Sequence, residues 1–87
     1  MTTLTGHVGR CPVEPNGELW VWVTRRGRLA VVCDECYSTW LDPEAIAEET
    51  ADIPAPGTFE LSDGDALDRP ATAGEIDAGG WTRHLDR

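Results

Sequence analysis

Three cysteines and two histidines are the residues of this chain whose types and spacing point to chemistry. Cys33-Asp34-Glu35-Cys36 places two thiols two residues apart, the spacing at which a tight turn grips one metal ion. Cys11 lies upstream, with His7 four positions before it, so the chain offers a His-x3-Cys pair and a Cys-x2-Cys pair. The 21 residues between Cys11 and Cys33 are enough for a hairpin to run out and bring the second pair back to the first. Three thiolates and one imidazole make a closed tetrahedral shell, which suits structural zinc and leaves no position for substrate. His84 in Trp81-Thr82-Arg83-His84-Leu85 is a rival to His7 as fourth ligand, because a folded-back tail would reach the site.

Other uses of the same residues fit less well. A redox Cys-x2-Cys opens a helix in a βαβ context, whereas here the pair follows a hairpin strand. A four-sulfur iron site needs one more cysteine than the chain has. Asp63-Gly64-Asp65 lacks the spacing and closing glutamate of a calcium loop and reads as a solvated turn. No Ser/His/Asp set, phosphate loop or paired carboxylate site stands out, so no enzyme activity is expected.

The elements that must position the ligands follow from the pattern around them. His7 to Pro12 reads as a ligand turn rather than a strand, and Pro15-Asn16-Gly17 as a second turn. Glu18 to Thr24 is rich in β-branched and aromatic residues and reads as a strand. Arg25-Arg26-Gly27-Arg28 makes a hairpin tip, and Leu29 to Val32 returns into Cys33. These residues resemble a zinc ribbon, the zinc-bound hairpin of many transcription, ribosomal and accessory proteins. The resemblance covers residues 7–41 and departs from the usual pattern in its first knuckle, His7-x3-Cys11, where a ribbon usually has Cys-x2-Cys. It implies one structural Zn2+ held by His7, Cys11, Cys33 and Cys36, and a binding or adaptor role.

Beyond the hairpin, Asp42-Pro43-Glu44 carries an N-cap, a proline at the first helical position and an acidic first turn, so a helix is expected through about Ala51. Thr58 to Ser62 alternates as a short strand, Leu67 to Pro70 reads as a loop, and Thr72-Ala73-Gly74-Glu75 as a capping box opening a short helix that ends at Gly79-Gly80. Trp81 then anchors the tail. Trp20 and Trp22 share one strand face and Leu19, Val21 and Val23 the opposite one; either Phe59, Leu61, Trp81 and Leu85 close over one face as core, or an exposed aromatic patch is left for another protein.

The fold expected is a small α+β metal-stabilised single domain over 1–87: a zinc-ribbon β-hairpin (7–41), one or two short helices and a packed C-terminal segment within an acidic extension (42–87). At 87 residues a single core has little surplus, and a metal staple is expected. The odd cysteine count argues for a reducing compartment, and the N-terminus has neither a basic start nor an apolar stretch, so a cytoplasmic location is expected. Residues 1–41 balance four arginines against four carboxylates, while residues 42–87 carry twelve carboxylates against three arginines, giving the net charge of −9. Such an acidic half repels phosphate backbones, which favours a basic protein partner. The alternative is a nucleic-acid contact through Arg25, Arg26 and Arg28. The chain is expected to be monomeric or weakly associated.

Overall fold

Alternation along Glu18–Thr24 (β2), with Leu19, Val21 and Val23 buried, the residues between them half-buried and Thr24 also buried at the end, makes this strand the centre of the molecule. The computed structural model of the chain describes residues 6–46 and 51–85. Leu29–Cys33 (β3) pairs antiparallel with β2, matching Leu19 with Cys33 and Val21 with Val31. Arg25 to Arg28 closes the hairpin, and Gly27 takes a φ of +80° where the Thr24 carbonyl accepts its N–H. Thr39–Trp40 (β4) extends the sheet beyond β3.

The other edge of β2 is shared end to end by two strands. His7–Arg10 (β1) pairs with Glu18 to Trp20, and Leu67–Pro70 (β5) pairs with Trp22 to Thr24. Val21 is the junction: its N–H donates to the Gly6 carbonyl and its carbonyl accepts the Ala71 N–H. The sequence reading of residues 7–12 as a turn and of 67–70 as a loop is therefore corrected. His7–Arg10 and Leu67–Pro70 are edge strands, and Pro70 is tolerated because it closes a strand that borders the sheet.

Both faces of the hairpin are covered. Over Val21 and Val23 lie Ala71 and Ile76, with Trp81 and Leu85 at the margin. Ile76 belongs to Ala73–Ala78 (α1), which the expected capping box opens: the Thr72 hydroxyl accepts the Glu75 N–H and the Glu75 carboxylate accepts the Thr72 N–H. Gly80, at φ +76°, ends the helix by letting the Trp81 N–H reach the Ile76 carbonyl, which turns Trp81 onto the core. On the opposite face Leu61 and Leu67 pack on Ala30 and Val32, with Trp22 beside them. Trp81 and Leu85 thus close over the Val21 face and Leu61 over the Trp22 face.

Two further expectations change. Asp42 caps the Glu44 N–H as expected, but the residues after it form a single 3-10 turn, Pro43–Ala45. Residues 47–50 of the expected helix lie outside the described residues. Ala51 is not helical, because Asp52 exchanges two backbone hydrogen bonds with Thr39 and is held as an extension of β4. Thr58 to Ser62 is not a strand: Phe59 sits at φ +57°, which breaks the alternation and leaves Phe59 exposed while Leu61 is buried. The whole is a small domain built on an antiparallel sheet with little helix.

Candidate metal centre

The end of β3 and the loop after β1 bring the three cysteines together. Cys33 is paired with Leu19 in the sheet, so it lies on the Leu19 face. Cys11, one residue past β1, packs on the same cluster with Val31 and Trp40. Cys36 reaches back from the turn after Cys33. The three sulfurs lie within 4.8 Å of one another, and Cys11 Sγ is 3.7 Å from Cys36 Sγ. Sulfurs at this separation are close enough to ligate one metal ion.

Backbone donors surround them. Cys11 Sγ accepts the N–H groups of Val13 at 3.4 Å and Glu14 at 3.3 Å. Cys33 Sγ accepts those of Glu35 at 3.4 Å and Cys36 at 3.5 Å. The Ser38 hydroxyl lies 3.1 Å from Cys36 Sγ. These donors favour thiolate over thiol, the form in which sulfur binds metal. Burial nevertheless pushes the Cys33 thiol up to about 11, against its two N–H donors. At Cys36 burial also acts upward, but the Ser38 hydroxyl and N–H together with the neighbouring thiols outweigh it and hold this thiol below its ordinary value. A metal ion placed among the three would supply the positive charge that burial withholds.

Close packing at the sulfurs depends on Gly17. Its N–H donates to the Glu14 carbonyl and its carbonyl accepts the Cys11 N–H, so the loop folds flat against the site. A Cβ at Gly17 would come closer than 3.0 Å to Cys33 Sγ and within 3.3 Å of Cys11 Cβ. Ser38 and Gly17 were not singled out by the sequence. The Pro15-Asn16-Gly17 turn was visible there, but its role beside a sulfur 16 residues further on was not.

Of the four expected ligands, the structure brings together Cys11, Cys33 and Cys36 and places His7 elsewhere. Counted along a regular strand, residues 7, 9 and 11 share a face. A bulge between His7 and Gly9 breaks that count, pairing His7 with Trp20 while Gly9 pairs with Leu19. The His7 ring therefore lies on the Trp20 face, its centroid 4.9 Å from the indole and its Nε2 2.7 Å from Glu18 Oε2. Trp20 in turn donates its indole N–H to Asp34. His84, the rival ligand, sits in the 3-10 turn Thr82–His84, where its Nε2 accepts from Arg83 at 3.3 Å. Among the described residues, neither histidine joins the sulfur group.

Two neighbouring features bear on function. Cys36 lines an open apolar cavity of about 370 Å3 with Tyr37, Ile53, Pro54 and Phe59. Tyr37 and Phe59, at φ +58° and +57°, are the non-glycine residues in the left-handed region among those described, and their rings meet at 5.6 Å. The arginine tip is partly committed. Arg28 bridges Asp63 and Asp65, and the Asp65 carboxylate, shielded from water, also accepts the Arg26 N–H.

Among the family models, curated proteins and solved structures compared, none matches this chain. The zinc-ribbon likeness therefore rests on the hairpin and the cysteine positions alone. Among the described residues, no helix is long and apolar enough to cross a membrane.

Proposed function

We propose that this chain is a structural-zinc module of the zinc-ribbon kind, in which one Zn2+ ties the loop after β1 to the loop after β3 and the domain so held binds another protein. The observation that carries the metal reading is the convergence of three sulfurs from two separate loops, two of them each accepting a pair of backbone N–H groups. Nothing in that arrangement calls for turnover, and no catalytic step is assigned to it.

The adaptor reading draws support from the surface next to the site. Tyr37, Ile53 and Phe59 are exposed apolar residues around the cavity beside Cys36, and two of them are held there by a backbone conformation that costs on the order of 1–3 kcal/mol each. With a net charge of −9 over the chain, the partner that suits this surface presents an apolar side chain flanked by basic residues. The nucleic-acid alternative loses ground, because Arg28 is engaged by two carboxylates.

Zinc titrated into the reduced, metal-free protein tests the first part: uptake should end at one equivalent and be lost in Cys33→Ser, while no uptake by the unaltered chain would overturn the reading. For the second part, a partner captured by the unaltered protein should be lost to an Ile53→Ser/Phe59→Ser variant that melts normally. Retention by that variant would remove the cavity from the account.

A further inference from the structure

The two loops that carry the cysteines open alike over their first four positions and differ after them, where Tyr37 takes a φ of +58° and the first loop has Pro15. In the second loop, Cys33 Sγ accepts the N–H groups of the residues two and three positions on, Glu35 and Cys36. In the first, Cys11 Sγ accepts the N–H groups of the residues two and three positions on, Val13 and Glu14. Each leading cysteine also closes its loop with its own backbone N–H, Cys33 to the Ser38 carbonyl and Cys11 to the Gly17 carbonyl, both at 3.0 Å. Burial repeats as well. Cys33 is buried, Asp34 and Glu35 exposed, Cys36 half-buried and Tyr37 exposed; Cys11 is buried, Pro12 and Val13 exposed, Glu14 half-buried and Pro15 exposed.

The position that Cys36 fills in one loop is filled in the other by Glu14. We infer that the Glu14 carboxylate is the fourth ligand of the metal site, completing a Cys3Glu shell with Cys11, Cys33 and Cys36. The inference rests on the metal reading above and puts Glu14 in the fourth position, for which the sequence offered His7 or its rival His84. Carboxylate oxygen is an accepted zinc donor, and it carries the same charge as the thiolate it stands for, so the shell keeps the formal charge of a four-cysteine site.

The Glu14 carboxylate, like the two histidines, stands outside the group of three sulfurs in this structure, and one neighbouring hydrogen bond holds it there. Glu14 Oε1 accepts the Asn16 N–H at 3.2 Å, within its own turn and at the surface. Exchanging one exposed hydrogen bond for a metal bond is favourable, since water replaces the carboxylate at Asn16. His7 has no such route. The bulge that sets it against Glu18 and Trp20 leaves the sheet between it and the sulfurs.

Cobalt(II) and zinc(II) binding to the full chain test this. The unaltered protein should give a tetrahedral cobalt spectrum with sulfur-to-metal charge transfer of three thiolates. Glu14→Cys should keep the tetrahedral bands, add the charge-transfer intensity of a fourth thiolate and bind zinc at least as tightly. Glu14→Gln, with the same shape and no charge, should lose at least the roughly 10–100-fold in zinc affinity that removing even an outer-shell partner of a ligand costs. His7→Ala and His84→Ala should leave spectrum and affinity unchanged. If the unaltered chain takes up one ion while Glu14→Gln binds it equally well, or Glu14→Cys shows three thiolates only, this inference fails and the metal reading stands. Should His7→Ala or His84→Ala be the variant that loses affinity, it fails likewise. If the unaltered chain takes up no ion, both fail.

Discussion

Adding one methyl group at Gly17 places a carbon against the sulfur of Cys33. The new Cβ would approach that sulfur closer than 3.0 Å and crowd Cys11 Cβ and the Glu14 carbonyl oxygen, each at 3.3 Å. None of the three has a cheap way out. Cys33 Sγ hangs on a single rotatable bond and is fixed by two N–H donors, and the other two atoms belong to the loop that Gly17 itself closes. Overpacking of this kind costs about 1–3 kcal/mol. Against the roughly 4–13 kcal/mol expected for a domain of 87 residues, that is a substantial share. At about 4–8 °C per kcal/mol for a domain this small, the melting temperature should fall by roughly 4–24 °C. Because the displaced atom is one of the three sulfurs proposed to hold the ion, zinc affinity should fall too, by about 5–150-fold where the same strain is felt in the bound state.

Gly79→Ala is the matched control. There the intruding Cβ meets the terminal methyl of half-buried Leu29, which can rotate aside, and the φ of −82° suits alanine. Thermal melts and competitive zinc titration of both variants read the difference. Gly17→Ala with an unchanged melt and unchanged zinc affinity would refute the claim that the two loops are packed sulfur against backbone.

Thr72→Ala should lower stability by about 1 kcal/mol, read from the urea midpoint, because it removes the hydroxyl that caps the Glu75 N–H. Asp65→Ala should lower the melting temperature more than Asp63→Ala. The Asp65 carboxylate is shielded from water while it accepts from Arg26, Arg28 and Ala66, whereas that of Asp63 is partly exposed. Acid should weaken the domain through Glu75, whose carboxyl is held down to about 2, first by the Arg69 fork and then by the Thr72 N–H. A carboxyl depressed in the folded state stabilises above its unfolded value of about 4.3 and loses that contribution as pH falls toward 2. The difference in urea midpoint between the unaltered chain and Glu75→Gln should therefore narrow below about pH 4; a constant difference would show that Glu75 does not stabilise through its charge.

The parts of the fold that were legible in the sequence are those set by short-range chemistry. The Glu18–Thr24 strand, the Gly27 tip, the Asp42 cap and the Thr72/Glu75 capping box each need only a few consecutive residues, and each forms. The elements that the sequence did not show depend on distant partners. Leu67–Pro70 is a strand only because β1 leaves half of one β2 edge open. Ala51, where the helix was expected to end, is instead next to the Thr39–Asp52 bridge, a pairing of residues 13 apart.

At the site, the cysteines were legible from type and spacing, and His7 was misplaced for an instructive reason. A spacing of four residues to Cys11 looks like a ligand pair, but one bulge inverts which side of the sheet the ring faces. The better signal was present in the same stretch. Cys11-Pro12-Val13-Glu14 has the spacing of Cys33-Asp34-Glu35-Cys36, with a carboxylate where the thiol would be.

The claim on which the rest depends is that a metal ion joins the two cysteine loops. Native mass spectrometry of the purified, reduced protein, paired with melting in strong chelator, addresses it most directly. One bound zinc per chain and a large drop in melting temperature on chelation are predicted. A protein that is purified metal-free, takes up no added zinc and melts identically with and without chelator would contradict the account.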